Sequence, residues 1–253
     1  CVLANNHVLD WGYSGLGETL ETLKKAGVGS AGAGNNQKAA EAPAVLEMNG
    51  RGRAIVFSFG LETSGIPLSW AASKNQPGVN LLKDPSDETV RFIEGQTRAL
   101  KEPGDIIIAS IHWGANWGYK VFPEEIEFAH NLIDHAGIDI IHGHSSHHVK
   151  GVEVYRDKPI LYGCGDFLSD YEGISGYEQF RDDLGLMYFV GMDRLAGKLI
   201  FLRMVPTKIK NFRVNRASTG DSMWLQATLN REGSKFGTRV DLHPDNTLML
   251  QWG

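Results

Sequence analysis

Histidines and one asparagine directly follow the apolar segments of this sequence, at positions where such side chains can do chemistry. Asn6 and His7 follow residues 1–4, and His112 follows residues 106–111. A third group comes after the apolar segment that ends at residue 141, and it consists of His142, His144, His147 and His148. Neutral imidazole binds zinc, iron and manganese, and it also transfers protons near neutral pH. The pattern predicts a metal site or an acid–base site.

These side chains need a sheet whose strand ends lie together. Residues 106–111 and 138–141 are continuous apolar runs, which is typical of strands buried on both faces. A helix capped by Ser86 is predicted before the first strand, and a helix that starts at Pro123 is predicted before the second. In open α/β sheets, ligands bind outside the carboxyl ends of the strands. The sequence therefore predicts a shared site at one edge of the sheet.

The remaining elements support an α/β fold of mixed sheets with flanking helices. Residues 1–4 read as the end of a strand, and leucines at helical spacing predict a helix over residues 16–23. Further predictions are a hairpin of residues 44–48 and 53–59, a long functional or mobile loop over residues 60–85, antiparallel strands after residue 151, a helix over residues 222–236 and a final hairpin over residues 239–252.

Composition narrows the class of protein. The chain has 253 residues, of which 42% are hydrophobic and 22% charged, a balance typical of a single globular domain. Its formal net charge of −5 disfavours nucleic acid as a partner, since binding a polyanion would need a local basic patch. No apolar run approaches the roughly 20 residues that a membrane-spanning helix needs. Two cysteines are too few for a disulfide framework.

An ordered set of motifs connects the chain to a known family. The motifs are Asn-Asn-His at residues 5–7, Gly-Ala-Gly at 32–34, Ser-Ile-His-Trp-Gly at 110–114, Gly-His-Ser-Ser-His at 143–147 and Gly-Cys-Gly-Asp-Phe at 163–167. In this order they resemble the CapA-type (poly-γ-glutamate capsule synthesis) proteins, a branch of the calcineurin-like metallophosphoesterase superfamily. The resemblance covers about residues 1–168. It implies one domain over residues 1–253, in which residues 169–253 add strands, a helix and a hairpin.

The resemblance also implies roles for individual residues. His7 would stabilise developing negative charge or protonate a leaving group, with Asp10 either orienting its ring or simply starting a helix. Trp113 and Asp166 would bind substrate, although packing and local capping are the alternative interpretations. A divalent metal such as zinc, manganese or iron would be bound by Asn6, His112, His144 and His147.

Departures from the superfamily pattern limit what this chain can bind. Val8 stands where the superfamily has an acid, and the motif after Gly143 is G-H-x-x-H in place of G-H-x-H. The blocks that bring the bridging carboxylates would lie before Asn6, so we expect a sandwich that lacks its first strands and an N-terminal part that is absent here. A two-metal centre cannot be completed, which leaves one metal ion or none.

Three functions follow as hypotheses. An enzyme ranks first: metal-assisted hydrolysis or transfer at an ester, phosphoester or amide bond, with an anionic polymer, a peptide or a phosphoester as substrate. The second is a metal-independent His/Asp acid–base enzyme such as a peptide epimerase. The third is a non-catalytic module that binds a polymer or peptide. The resemblance suggests a cell-envelope setting, but the sequence itself does not identify a compartment.

Overall fold

The described residues, 1–47, 50, 52–169 and 174–253 in a computed structural model, form two compact units. Unit one consists of Cys1–Ala115 and Phe122–Ile141, and unit two consists of Asn116–Val121 and His142–Gly253. Both contain helices and sheets, and the sheets include parallel and antiparallel pairs, so the predicted mixed α/β class is confirmed. The expectation of one domain over residues 1–253 stays a prediction.

Unit one is built on a mixed sheet. Strand β3 pairs antiparallel with β2 and parallel with β5 and β6, and β7 follows β6 in the sheet order. Strand β7 begins in unit one and ends in unit two. The elements are α1 (Gly12–Lys25), β1 (Ala33–Gly34), α2 (Gln37–Glu41), β2 (Ala44–Glu47), β3 (Arg53–Leu61), β4 (Gly78–Val79), β5 (Leu81–Leu82), α3 (Asp87–Arg98), β6 (Ile106–His112), α4 (Pro123–Asp134) and β7 (Ile140–His144).

Unit two is built on an antiparallel sheet in the order β10-β11-β14-β13, with β12 paired to β11. Helix α5 supplies Leu225 and Leu229 to a core that also contains Leu202, Met204 and Val240. The elements are β8 (Val152–Tyr155), β9 (Lys158–Leu161), β10 (Leu184–Asp193), β11 (Lys198–Ile209), β12 (Val214–Arg216), α5 (Thr219–Gly233), β13 (Thr238–Leu242) and β14 (Leu248–Trp252). The predicted antiparallel strands, helix and final hairpin are confirmed.

Local sequence explains the helix starts that position the site. The hydroxyl of Ser86 accepts a hydrogen bond from the backbone N–H of Thr89, which caps α3 as predicted. Pro123 begins α4, where a missing N–H costs nothing, and the Glu125 carboxylate accepts the N–H of Phe122 at 2.9 Å. Capping hydrogen bonds and Pro123 therefore determine where the two helices begin.

Several predicted elements differ from the structure in extent. Residues 1–4 are not a full strand. They form an isolated parallel bridge between Val2 and Ala31, in which Leu3 and Cys1 exchange backbone hydrogen bonds with Ala31. Residues 60–85 are not a featureless loop, since they contain β4 and β5. The predicted strand over residues 138–141 begins at Ile140 and continues through His144, so two predicted loop histidines lie in a strand. The predicted hairpin of β2 and β3 is present, whereas residues 48, 49 and 51 of its turn lie outside the described residues.

Two buried carboxylates hold the start of β6. Asp105 accepts hydrogen bonds from the backbone and guanidinium of Arg53 and from the N–H of Glu102. Asp139 accepts the N–H of Ile107 at 2.9 Å and pairs with the ammonium of Lys101 at 2.7 Å. Hydrogen bonding from Arg53 lowers the pKa of Asp105 to about 2. These contacts satisfy polar groups that would otherwise be buried beside an apolar strand.

Among the described helices, we find none that is both long and apolar enough to cross a bilayer.

We predict that Asp105→Asn lowers the free energy of unfolding by about 2 kcal/mol, because it removes the charged acceptor of several hydrogen bonds. The pKa of this carboxyl is lowered in the folded state, so its contribution is present above pH 4 and is lost as the pH falls toward 2. Urea denaturation at pH 7 measures the change. As a control, Glu94→Gln breaks only the exposed pair with Arg98 and should cost less than about 0.5 kcal/mol. Equal losses in the two variants would contradict the prediction.

Candidate functional site

In unit one, Asn6 and His112 lie together at the end of β6. The Nε2 atom of His112 is 3.2 Å from Oδ1 of Asn6, although the residues are 106 positions apart in the chain. The His112 side chain is buried, whereas Asn6 lies in the turn that precedes α1. The predicted proximity of these two residues is therefore present in the structure.

His7 and Asp10 form the second polar pair of unit one. Nδ1 of His7 lies 2.8 Å from a carboxylate oxygen of Asp10, and both side chains are largely exposed. The contact arises in a turn and not on a helix face, because the Asp10 N–H donates to the His7 carbonyl and α1 begins only at Gly12. Asp10 thus contacts the imidazole, and both its orienting role and the catalytic role of the pair stay predictions.

In unit two, His147 makes the corresponding contact with Asp166. Nδ1 of His147 is 3.0 Å from the carboxylate of Asp166, and both side chains are mostly buried. The hydrogen bond to Asp166 raises the pKa of His147 above its usual value of 6.5. When Nδ1 donates to the carboxylate, Nε2 is the nitrogen that carries the lone pair. In that tautomer Nε2 would accept a proton or bind a metal, and both roles stay predictions.

His148, the next residue, has a different character. Its Nδ1 lies 3.0 Å from the carbonyl of Val149, and its Nε2 accepts the N–H of Gly118 at 3.1 Å. Burial lowers the pKa of His148 to about 4, and burial does the same to His142, whose ring centroid lies 5.5 Å from that of His144. With both nitrogens bonded to the backbone, His148 holds the loop in place.

Aromatic rings form a wall beside His147. Trp117 stacks on Tyr177 with centroids 4.1 Å apart, and its ring centroid lies 5.3 Å from that of His147. Tyr119 and Phe180 pack against His148. The sequence contains no spacing pattern that points to Tyr177 or Phe180. The Trp117 ring packs beside the His147 imidazole at an interplanar angle of 33°.

The turn between His144 and His147 is strained. Ser145 has a φ of 120°, a conformation that residues with a side chain rarely adopt. Its hydroxyl lies 3.3 Å from Oδ1 of Asn116, and the N–H of His147 donates to the Asn116 carbonyl at 3.1 Å. Because strained residues concentrate at functional sites, this turn supports the choice of His147 as a site residue.

The predicted metal ligands fit a divalent ion in donor type. Amide oxygen and imidazole nitrogen suit zinc, manganese and iron, and Asn6 and His112 already face each other in unit one. His144 and His147 belong to unit two. Within each unit, the described residues contain no group of three or more His, Cys, Asp or Glu side chains arranged to hold a metal ion. Metal binding stays a prediction.

The other predicted residues are also placed. Trp113 is buried, and Asp166 contacts His147, so their roles in substrate binding remain predictions. Arg181 pairs with Asp183 and Asp221. Cys164 is buried, and burial raises the pKa of its thiol to about 12, consistent with a small packed side chain.

A mixed α/β fold with imidazoles at its strand ends and the motif order described above defines a capsule-synthesis type of protein. The chain belongs to the bacterial capsule synthesis protein family PGA_cap, whose model matches residues 1–171. The CapA-type resemblance is thereby confirmed.

Individual relatives agree with this assignment. The chain is 50% identical over 249 residues to a "Probable polyglutamine synthesis accessory protein" of Mycobacterium tuberculosis, covering 98% of this chain and 65% of that protein. It is 31% identical over 208 residues to "Capsule biosynthesis protein CapA" of Bacillus anthracis and 32% identical over 187 residues to "PGA biosynthesis protein CapA" of Bacillus subtilis. These matches cover 82% and 73% of this chain but 47% and 45% of the two relatives. The chain thus spans about half to two thirds of their length.

We predict that Ser145→Gly stabilises the protein by about 0.5 to 1 kcal/mol. Relief of the strained φ outweighs the extra backbone entropy that glycine loses on folding. Thermal and urea unfolding measure the change. The neighbouring variant Ser146→Ala should instead destabilise by about 1 kcal/mol, since it removes a buried hydrogen bond to the His148 carbonyl. A loss of stability in Ser145→Gly would contradict the prediction and would show that strain relief does not exceed the loss of the hydroxyl contact with Asn116.

We predict that His147 titrates above pH 6.5 and that Asp166→Asn lowers its pKa. The folded-state pKa is raised, so the ion pair stabilises the protein fully below pH 6.5 and loses this effect as the pH rises through the folded pKa. NMR titration of the imidazole nitrogens measures both values, and His148, with a pKa of about 4, serves as an internal control. An unchanged His147 pKa in Asp166→Asn would contradict the assignment.

Proposed function

We propose that this protein is an enzyme of capsule poly-γ-glutamate synthesis that hydrolyses or transfers at an ester, phosphoester or amide bond. The observation that carries the proposal is the contact between Nδ1 of His147 and the carboxylate of Asp166. Family membership and the names of the relatives support the setting in capsule and polymer synthesis. The substrate that we propose is the anionic polymer or a peptide or phosphoester related to it.

The proposed chemistry begins with proton transfer at His147. Nδ1 donates to Asp166, so Nε2 accepts the proton of a water molecule or hydroxyl that attacks the substrate. The Asp166 carboxylate stabilises the imidazolium that forms, and the same Nε2–H can then be returned to the leaving group. Transfer of this kind typically contributes a factor of about 10² to 10⁴ to the rate.

Positioning supports this role. The hydrogen bond to Asp166 and the neighbouring Trp117 ring hold the His147 imidazole before substrate binds, which lowers the ordering cost of the reaction. His148 cannot share the work, because its two ring nitrogens are bonded to the backbone. The structural difference between adjacent histidines favours His147 as the acid–base group.

Unit one carries a second imidazole of the same type. His7, beside Asp10, is our candidate within unit one for stabilising developing negative charge. Its side chain is exposed to solvent. Its contribution can be measured separately from that of His147.

We also propose that unit one holds a divalent ion. Asn6 and His112 are the residues of this unit that would bind it, and their amide oxygen and imidazole nitrogen suit zinc, manganese or iron. When bound, the ion would supply Lewis-acid polarisation of the reacting bond and activation of water.

We predict that His147→Gln lowers turnover of poly-γ-glutamate or of a model phosphodiester by about 100-fold or more, because the proton acceptor is lost. Asp166→Asn should lower kcat by a smaller factor, since the ring remains but its tautomer is no longer fixed. Polymer length by size-exclusion chromatography and phosphodiester cleavage by absorbance are the measurements. The matched control is His130→Gln on helix α4, which should retain full activity.

Chelation separates the alternatives. Loss of activity with chelator and its return with zinc, manganese or iron would support the assisting ion. Full activity of metal-free protein would favour the metal-independent acid–base route. Full activity of His147→Gln would overturn the proposed role of His147, and polymer binding without turnover would point to a non-catalytic module.

A further inference from the structure

Unit one contains a cavity that the proposed reaction does not use. Its volume is about 410 Å³, within the range of small-molecule sites in proteins. It lies against the start of α4 and the segment that follows β6. The lining consists of Leu61, Thr63, Pro85, Trp113, Gly114, Ala115, Phe122, Glu124, Glu125 and Phe128.

The floor of the cavity is preformed. Leu61, Trp113 and Phe128 belong to the packed interior and are 5%, 2% and 1% exposed. The hydroxyl of Thr63 accepts the N–H of Gly114 at 3.3 Å, which fixes one wall. Because these side chains are packed in the interior, the cavity keeps its shape without a ligand. Binding therefore costs little conformational entropy of the protein.

The mouth of the cavity is acidic and aromatic. Glu124 is exposed, Glu125 is half-buried and hydrogen-bonded to the N–H of Phe122, and the Phe122 ring is 43% exposed. Among the residues that the structure describes, the lining contains two carboxylates and no Lys, Arg or His. An anionic ligand would be repelled there, whereas a cation would be attracted by the carboxylates and by the face of an aromatic ring.

We propose that this cavity binds a small organic cation, namely a primary ammonium group attached to an aromatic or aliphatic body. The apolar body occupies the floor against Trp113 and Phe128, and the ammonium group lies at the mouth near Glu124 and Glu125. This site is distinct in chemistry from one for an anionic polymer, and it does not depend on the proposed acid–base reaction. Trp113 consequently lines a cation-binding cavity, where the sequence suggested contact with substrate.

The proposal is tested with three probes of equal size and different charge. Phenethylammonium should bind the full chain, as measured by isothermal titration calorimetry and by the change in tryptophan fluorescence. Phenylacetate should bind at least about 10-fold more weakly, and 2-phenylethanol should fall between the two. Equal binding of the cation and the anion, or no binding of the cation, would overturn the proposal.

Matched variants locate the site. Glu124→Gln should weaken phenethylammonium binding about 3- to 10-fold, while Glu127→Gln, on the same helix but outside the lining, should leave it unchanged. Ala115→Trp should abolish binding by filling the cavity. Circular dichroism confirms that each variant is folded. Identical affinities for wild type, Glu124→Gln and Ala115→Trp would show that the cation binds elsewhere and would overturn the proposal.

Discussion

Strand β6 is buried on both faces, so the polar groups at its two ends need hydrogen-bond partners from the rest of unit one. Asp105 and Asp139 fix the start of the strand, because each accepts a hydrogen bond from at least one backbone N–H and pairs with a cationic side chain. Its last residue, His112, meets Asn6. The position of His112 at the end of the strand depends on how firmly the start of the strand is fixed. The carboxylates of Asp105 and Asp139 provide that restraint.

Three histidines of this protein make different contacts through their Nδ1 atoms. A carboxylate lies at Nδ1 of His7 and at Nδ1 of His147. A carbonyl at Nδ1 together with an N–H at Nε2, as at His148, uses both nitrogens in structure. Adjacent residues of the same type can therefore have different roles, and residue type alone does not distinguish them.

The sequence predicts the elements of this fold well where one local rule decides. Helix α3 follows from the Ser86 cap, helix α4 from Pro123, and strand β6 from a run of apolar residues. It predicts the end of β7 poorly, because His142 and His144 are polar residues within a strand whose burial depends on distant neighbours.

The residues of the candidate site also divide into those that a local pattern predicts and those that depend on distant neighbours. Asn6, His7 and His112 could be named from their positions after apolar segments, and Asp10 from its spacing to His7. Tyr177 could not, since its stacking on Trp117 joins segments that are 60 residues apart without any periodic pattern. The acidic cavity beside Phe122 is likewise assembled from four separate stretches of chain.

Both units are discontinuous in the chain, and this has a practical consequence for dissecting the protein. Residues 116–121 belong to unit two although they interrupt unit one, and they supply Asn116, Trp117 and Gly118 to the surroundings of His147 and His148. A fragment cut at the boundary after Ile141 would leave the two histidines without those contacts. To express unit two separately, residues 116–121 would have to be joined to it through a new connection. A circular permutation achieves this better than a simple deletion.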